Sequence, residues 1–110
     1  MVYELRIYQM NPGKMDAIKK RFAEHTFRLF KKNKIKVVDF YLDSTQDKLY
    51  YVCEFDSLEA KEKAWEIQMN DPEWKVVKAE TEVDGRLAAT VESFTMERAP
   101  FFDIDNNPTI

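Results

Sequence analysis

Seven residues near the start of the chain, Val2-Tyr3-Glu4-Leu5-Arg6-Ile7-Tyr8, alternate without a break, so as a strand they present two unlike faces. Tyr3, Leu5 and Ile7 share one side, and Glu4, Arg6 and Tyr8 share the other. The first set suits a core beneath helices. The second carries two charges, which predicts a sheet face that helices leave bare and that needs a different cover.

The rest of the chain supplies what such a sheet requires. Asn11-Pro12-Gly13 reads as a helix start, with Asn11 as cap and Pro12 in the first turn. A long helix running to about Asn33 follows, with Met15, Ile18, Phe22, Thr26, Leu29 and Phe30 as its apolar stripe. Residues 35–43 and 49–55 read as two strands joined by the polar loop Ser44-Thr45-Gln46-Asp47. Ser57 caps a second helix to about Asn70, burying Ala60, Ala64 and Ile67; Asp71 and Pro72 then restart it with Trp74, Val77 and Thr81 on one face. After the turn Asp84-Gly85, residues 86–97 alternate as a last strand.

Strand, helix, strand, strand, helix, strand is the split βαβ pattern of a ferredoxin-like α+β fold, a four-stranded antiparallel sheet in spatial order 4-1-3-2 with both helices on one face. By parity the bare face holds Glu4, Arg6 and Tyr8, then Asp39 and Tyr41, then Tyr50, Val52 and Glu54, and finally Arg86, Thr90, Glu92 and Phe94. Residues 1–99 form this domain. Residues 100–110 are a tail without regular period whose Phe101-Phe102 pair predicts packing against the rest of the assembly.

With 17 basic and 20 acidic residues interspersed along 110, the chain lacks the concentrated basic footprint that nucleic acid requires, and its one local basic cluster, Lys31-Lys32-Asn33-Lys34-Ile35-Lys36, reads as a helix C-terminus. A single cysteine, Cys53, allows neither an internal disulfide nor a cysteine metal pair, and reads as an inert buried thiol. No apolar run approaches membrane-spanning length, so a cytoplasmic protein is expected. Two glycines leave no room for a phosphate-cradling loop, and no zinc spacing or nucleophile elbow is present.

An ordered set of motifs resembles the NIPSNAP family: Tyr3-Glu4-Leu5-Arg6-Ile7-Tyr8, Pro12-Gly13-Lys14, Glu24-His25-Thr26, Leu29-Phe30, Glu62-Lys63-Ala64-Trp65, Asp71-Pro72-Glu73-Trp74, Asp84-Gly85 and Val91-Glu92 with Met96. The resemblance implies a homodimeric α/β barrel in which two ferredoxin-like subunits put their bare sheet faces together. The family's own activity is largely undefined, and fold does not supply one.

The expected site is that barrel interior, with Arg6, Tyr8, Glu92, Tyr41 and Phe94 as ligand-binding candidates and an Arg6–Glu92 ion pair as its leading contact. Two readings stand side by side: an ion-pair lattice at a dimer interface, or an aromatic pocket for a small apolar or aromatic molecule, in an enzyme without bound cofactor or a binding protein. A further alternative is a non-enzymatic homodimeric interaction module whose outer helices or tail meet a partner. His25, the one imidazole, is the candidate general base, or else a hydrogen-bonded core histidine beside Phe22 and Leu29. No metal and no cofactor are expected.

Overall fold

The computed structural model describes residues 1–105; the end of the expected tail lies outside the described residues. Strands β1 (Val2–Met10), β2 (Lys36–Leu42), β3 (Lys48–Phe55) and β4 (Ala88–Met96) form one antiparallel sheet in the order β2-β3-β1-β4, the expected arrangement. Helices α1 (Met15–Arg21), α2 (Phe27–Lys32), α3 (Leu58–Asn70) and α4 (Pro72–Thr81) all lie on one side of it. This is the ferredoxin-like α+β fold.

The long first helix forms with one irregularity. Between α1 and α2, residues Phe22–Thr26 make a π turn in which the Phe27 N–H bonds the Phe22 carbonyl and the Thr26 hydroxyl bonds the Arg21 carbonyl at 3.3 Å. The extra residue keeps Ile18, Phe22, Thr26, Leu29 and Phe30 buried along one line. Phe22 sits at the centre of the core, touching the rings of Tyr8, Phe30, Phe40 and Tyr51.

Local signals mostly act as read. Ser57 accepts the Ala60 N–H at 3.0 Å, and Asp71 accepts the Glu73 N–H at 2.9 Å with Pro72 opening α4. Asn11, by contrast, caps no helix. Its amide bonds the Arg86 carbonyl at 2.8 Å, tying the first turn to the last, and Gly13 takes a φ of +76° before α1 begins at Met15. The buried side of α3 is also rotated from expectation. Ala64 and Gln68 are buried while Ile67 is exposed, because Gln68 and Asp71 together receive the Asn33 amide, at 2.8 and 2.9 Å.

Asp71 also lies 2.8 Å from Lys32 Nζ. The Asn33 hydrogen bond first, then the Lys32 contact, hold its pKa down at about 2. A folded-state pKa below the unfolded value of about 4 means stability that is complete above that pH and lost as pH falls toward 2. Urea midpoints measured at pH 4 and pH 2.5 should therefore fall less for Asp71→Asn than for the wild type; equal falls would contradict the assignment.

Candidate functional site

The two sheet faces differ in chemistry, and β1 is reversed from the parity expected. Glu4, Arg6 and Tyr8 point toward the helices, while Tyr3, Leu5 and Ile7 lie on the helix-free side. The reason is mutual satisfaction of the two charges. Glu4 is only 1% exposed, yet its carboxylate accepts from Trp65 Nε1 at 2.5 Å, Ser93 Oγ at 2.5 Å and Arg6 at 3.1 Å. A buried carboxylate with three donors is no longer an isolated charge, so the strand can turn its charged side inward.

Arg6, with 18% of its side chain exposed, is held on several sides. Its Nε donates to Tyr51 Oη at 2.9 Å, and its guanidinium lies 4.3 Å from the centre of the Trp65 ring. Tyr8 and Tyr51 share a hydrogen bond of 2.7 Å beneath it. Burial opposes the charge on Arg6, but the facing Tyr51 and Tyr8 oxygens and the Glu4 carboxylate outweigh it and raise its pKa above the ordinary arginine value. Burial likewise holds the Tyr51 phenol neutral and pushes the Cys53 thiol up to about 12, and Cys53 is buried as expected. The donors and acceptors of this cluster are used on one another, which fastens β1 to β3, β4 and α3.

The helix-free face is therefore more apolar than the sequence parity suggested. Strand register places Phe94, Leu5, Val52 and Asp39 in one row across all four strands, and Glu92, Ile7, Tyr50 and Tyr41 in the next. Polar residues flank them: Tyr3, Glu54 and Lys36 at one end, Thr90, Gln9 and Lys48 at the other. The face has aromatic and aliphatic groups at its centre and two acids at opposite corners. Phe94 remains 45% exposed, and Tyr41 is exposed while donating to the neighbouring Asp39 carboxylate, which raises its own pKa. Glu92 has no ion pair or side-chain hydrogen bond among the described residues.

The NIPSNAP family model matches residues 3–102, almost the whole described chain. This chain belongs to the NIPSNAP family. Among solved structures it resembles a protein from Agrobacterium tumefaciens at 22% identity and a TM-score of 0.79, covering 92% of this chain and 96% of that one. It also resembles an uncharacterized NIPSNAP domain protein from Burkholderia xenovorans at 17% identity and TM-score 0.79, covering 94% and 99%. An antibiotic biosynthesis monooxygenase is similar at 11% identity and TM-score 0.61, covering 91% and 100%. At these identities the likenesses establish the fold. No curated protein matches the chain.

For this NIPSNAP chain the candidate residues fall into three places. Tyr41, Glu92 and Phe94 share the helix-free face as read, whereas Arg6 and Tyr8 belong to the buried cluster on the other side, so the Arg6–Glu92 pair does not form. Residue pairing shows why: Arg6 stands opposite Ser93, and Glu92 opposite Ile7. His25 is neither a core histidine nor part of either sheet face. It sits half-exposed in the π turn, its Nε2 3.9 Å from Glu24. Trp65, Tyr51 and Ser93 went unrecognised as partners of Arg6 and Glu4. The alternation of Leu49, Tyr51, Cys53 and Phe55 carried the signal for Tyr51, since it marks that side of β3 as core. Arg86 precedes β4.

A separate groove of about 1190 Å³ opens between α2 and α3, at the sheet end where β1 begins. Its walls include Phe27, Phe30, Ile35, Val37, Phe55 and Ala64, and its rim carries Lys31, Lys34, Lys36 and Lys63. No group of three or more His, Cys, Asp or Glu residues suited to a metal ion occurs among the described residues, and none of their helices is long and apolar enough to cross a membrane.

Proposed function

We propose that this NIPSNAP protein is a homodimer that closes its helix-free sheet face against the same face of a second copy and binds a small apolar or aromatic molecule in the barrel so formed. The observation that carries this reading is the composition of that face. Phe94, Leu5, Val52, Ile7, Tyr50 and Tyr41 form a contiguous apolar centre that helices leave open, and solvent is a poor cover for such a surface.

The strand order favours one packing. A two-fold axis parallel to the strands sets β4 of each copy over β2 of the other, which brings together the two exposed edges of each sheet. In that packing Glu92, unpaired in one copy, faces Tyr41 of the partner subunit. The ligand-binding set is accordingly Glu92, Tyr41 and Phe94 with Tyr50, the aromatic rings setting shape and the acid accepting a hydrogen bond. Arg6 and Tyr8 support β1 from behind and do not line the interior.

Nile red, a neutral aromatic dye that brightens in apolar surroundings, tests the interior. The wild-type dimer should bind it saturably. Ile7→Trp, which fills the centre of the face with another apolar group, should remain dimeric by light scattering while its dye affinity falls about tenfold or more. A dimer that binds no dye, or unchanged binding by dimeric Ile7→Trp, would overturn the ligand reading.

A further inference from the structure

Two surfaces outside the barrel face remain uncovered, and each has what the other lacks. The segment that follows β4 holds Phe101 at 58% and Ile104 at 80% exposure, with Phe102 also exposed, and it intersperses them with Asp103 and Asp105. The groove between α2 and α3 is apolar within, and its lining carries four lysines, Lys31, Lys34, Lys36 and Lys63, against two acids, Glu54 and Asp56, so it is basic on balance. Lys36 there meets Glu54 at 3.3 Å, but Lys31, Lys34 and Lys63 have no ion pair among the described residues. An apolar, acidic segment and an apolar, lysine-rimmed groove are complementary in both respects.

Register puts the two at the same end of the sheet. Met96, the last residue of β4, pairs with Tyr3, Tyr3 pairs with Glu54, and Glu54 pairs with Lys36 on the groove rim. Within one copy, however, β4 and β2 are opposite edges, three strand spacings or about 14 Å apart. The packing proposed above removes that separation, because it carries β4 of one copy across β2 of the other while preserving the end at which each lies. The segment of one copy then emerges beside the lysine rim of its partner. The six residues after Met96, Glu97 to Phe102, can span about 20 Å once the turn closed by the Phe102 N–H on the Ala99 carbonyl at 3.1 Å opens, enough to round a single edge strand.

We propose that residues 97–105 of each copy cross the partner's edge strand β2 and seat Phe101, Phe102 and Ile104 in the partner's groove, with Asp103 and Asp105 against its lysines. This rests on the dimer reading. It makes the exchange reciprocal, two identical contacts per dimer, and gives the expected packed tail a specific receptor.

The test uses two single variants, Ala60→Cys in the groove wall and Phe102→Cys in the segment, each in the full chain and carrying tags of different mass. Cys53 can remain, since it is buried and its thiol is pushed up to about 12. After the two variants are mixed under conditions that allow subunit exchange and then oxidised, a disulfide joining the two differently tagged chains is expected. If the two single variants give no mixed product while a third chain carrying both substitutions closes a disulfide within itself, the segment lies in its own groove and the proposal is overturned. A dimer by light scattering that gives no Ala60→Cys/Phe102→Cys disulfide would also overturn it, leaving the sheet-face dimer standing. A monomer would remove both. As a second measurement, deletion of residues 100–110 should raise the dimer dissociation constant about tenfold or more, and an unchanged constant would count against the exchange.

Discussion

Replacement of Arg6 by Ala is expected to cost about 3–5 kcal/mol of folding stability, because it leaves the Glu4 carboxylate buried with its counter-charge gone. The loss includes the stacking of the guanidinium on Trp65 and the hydrogen bond to Tyr51. Arg6→Lys should recover little of it, since an ammonium cannot reach Glu4 and Tyr51 with one planar fork while lying flat on the indole. The double variant Glu4→Gln with Arg6→Met removes both charges and should lie closer to the wild type than Arg6→Ala does. Urea unfolding followed by circular dichroism gives each value. A loss below about 1 kcal/mol for Arg6→Ala would show that the cluster is not what fastens β1 to the helix layer.

Leu5→Asp should have the largest effect on assembly. Leu5 lies at the centre of the helix-free face, between Val52 and Phe94, and it is not part of the core beneath the helices. A carboxylate there meets water in a lone subunit but would be buried without a partner in the proposed barrel, twice per proposed dimer. An uncompensated buried charge costs several kcal/mol, so dissociation should be favoured by a factor of about 1,000 or more. The variant should sediment as a monomer at micromolar concentration while its helical circular dichroism stays that of the wild type. A variant that stays dimeric would place the subunit contact elsewhere, and one that unfolds would show Leu5 to be part of the core after all.

The fold could be read from local signals, and the site could be read only in part. Ser57, Asp71 and Pro72 announce their helices through backbone donors they satisfy or lack, and the period-2 and period-3.6 patterns name each element. Those signals act over a few residues and survive in the folded chain. The face that each side of β1 adopts depends instead on partners 45 to 89 residues away: Tyr51, Trp65 and Ser93. Alternation says that two faces exist, and composition says that one is charged. Neither says that the charges cancel and go inward, because that needs the strand register. Tyr41, Glu92 and Phe94 lie on the helix-free face as read because β2 and β4 carry no buried charge of their own to turn them over. The Asn11 reading failed because Gly13, at a φ of +76°, turns the chain and delays α1 to Met15, out of reach of an Asn11 cap, while the Asn11 amide nitrogen donates to the Arg86 carbonyl instead.

Reversal of β1 strengthens the case for a covered sheet face. A charged face could have remained in water, whereas Leu5, Ile7, Val52, Tyr50 and Phe94 together are a surface that association would stabilise. The π turn that exposes His25 and the buried, neutral Cys53 add no reactive group to that face.

Multi-angle light scattering on the purified wild-type chain at micromolar concentration tests this most directly. A mass twice the 13.1 kDa of one chain is predicted, shifting to the single-chain mass with Leu5→Asp. A wild-type mass of one chain would contradict the barrel and the site within it.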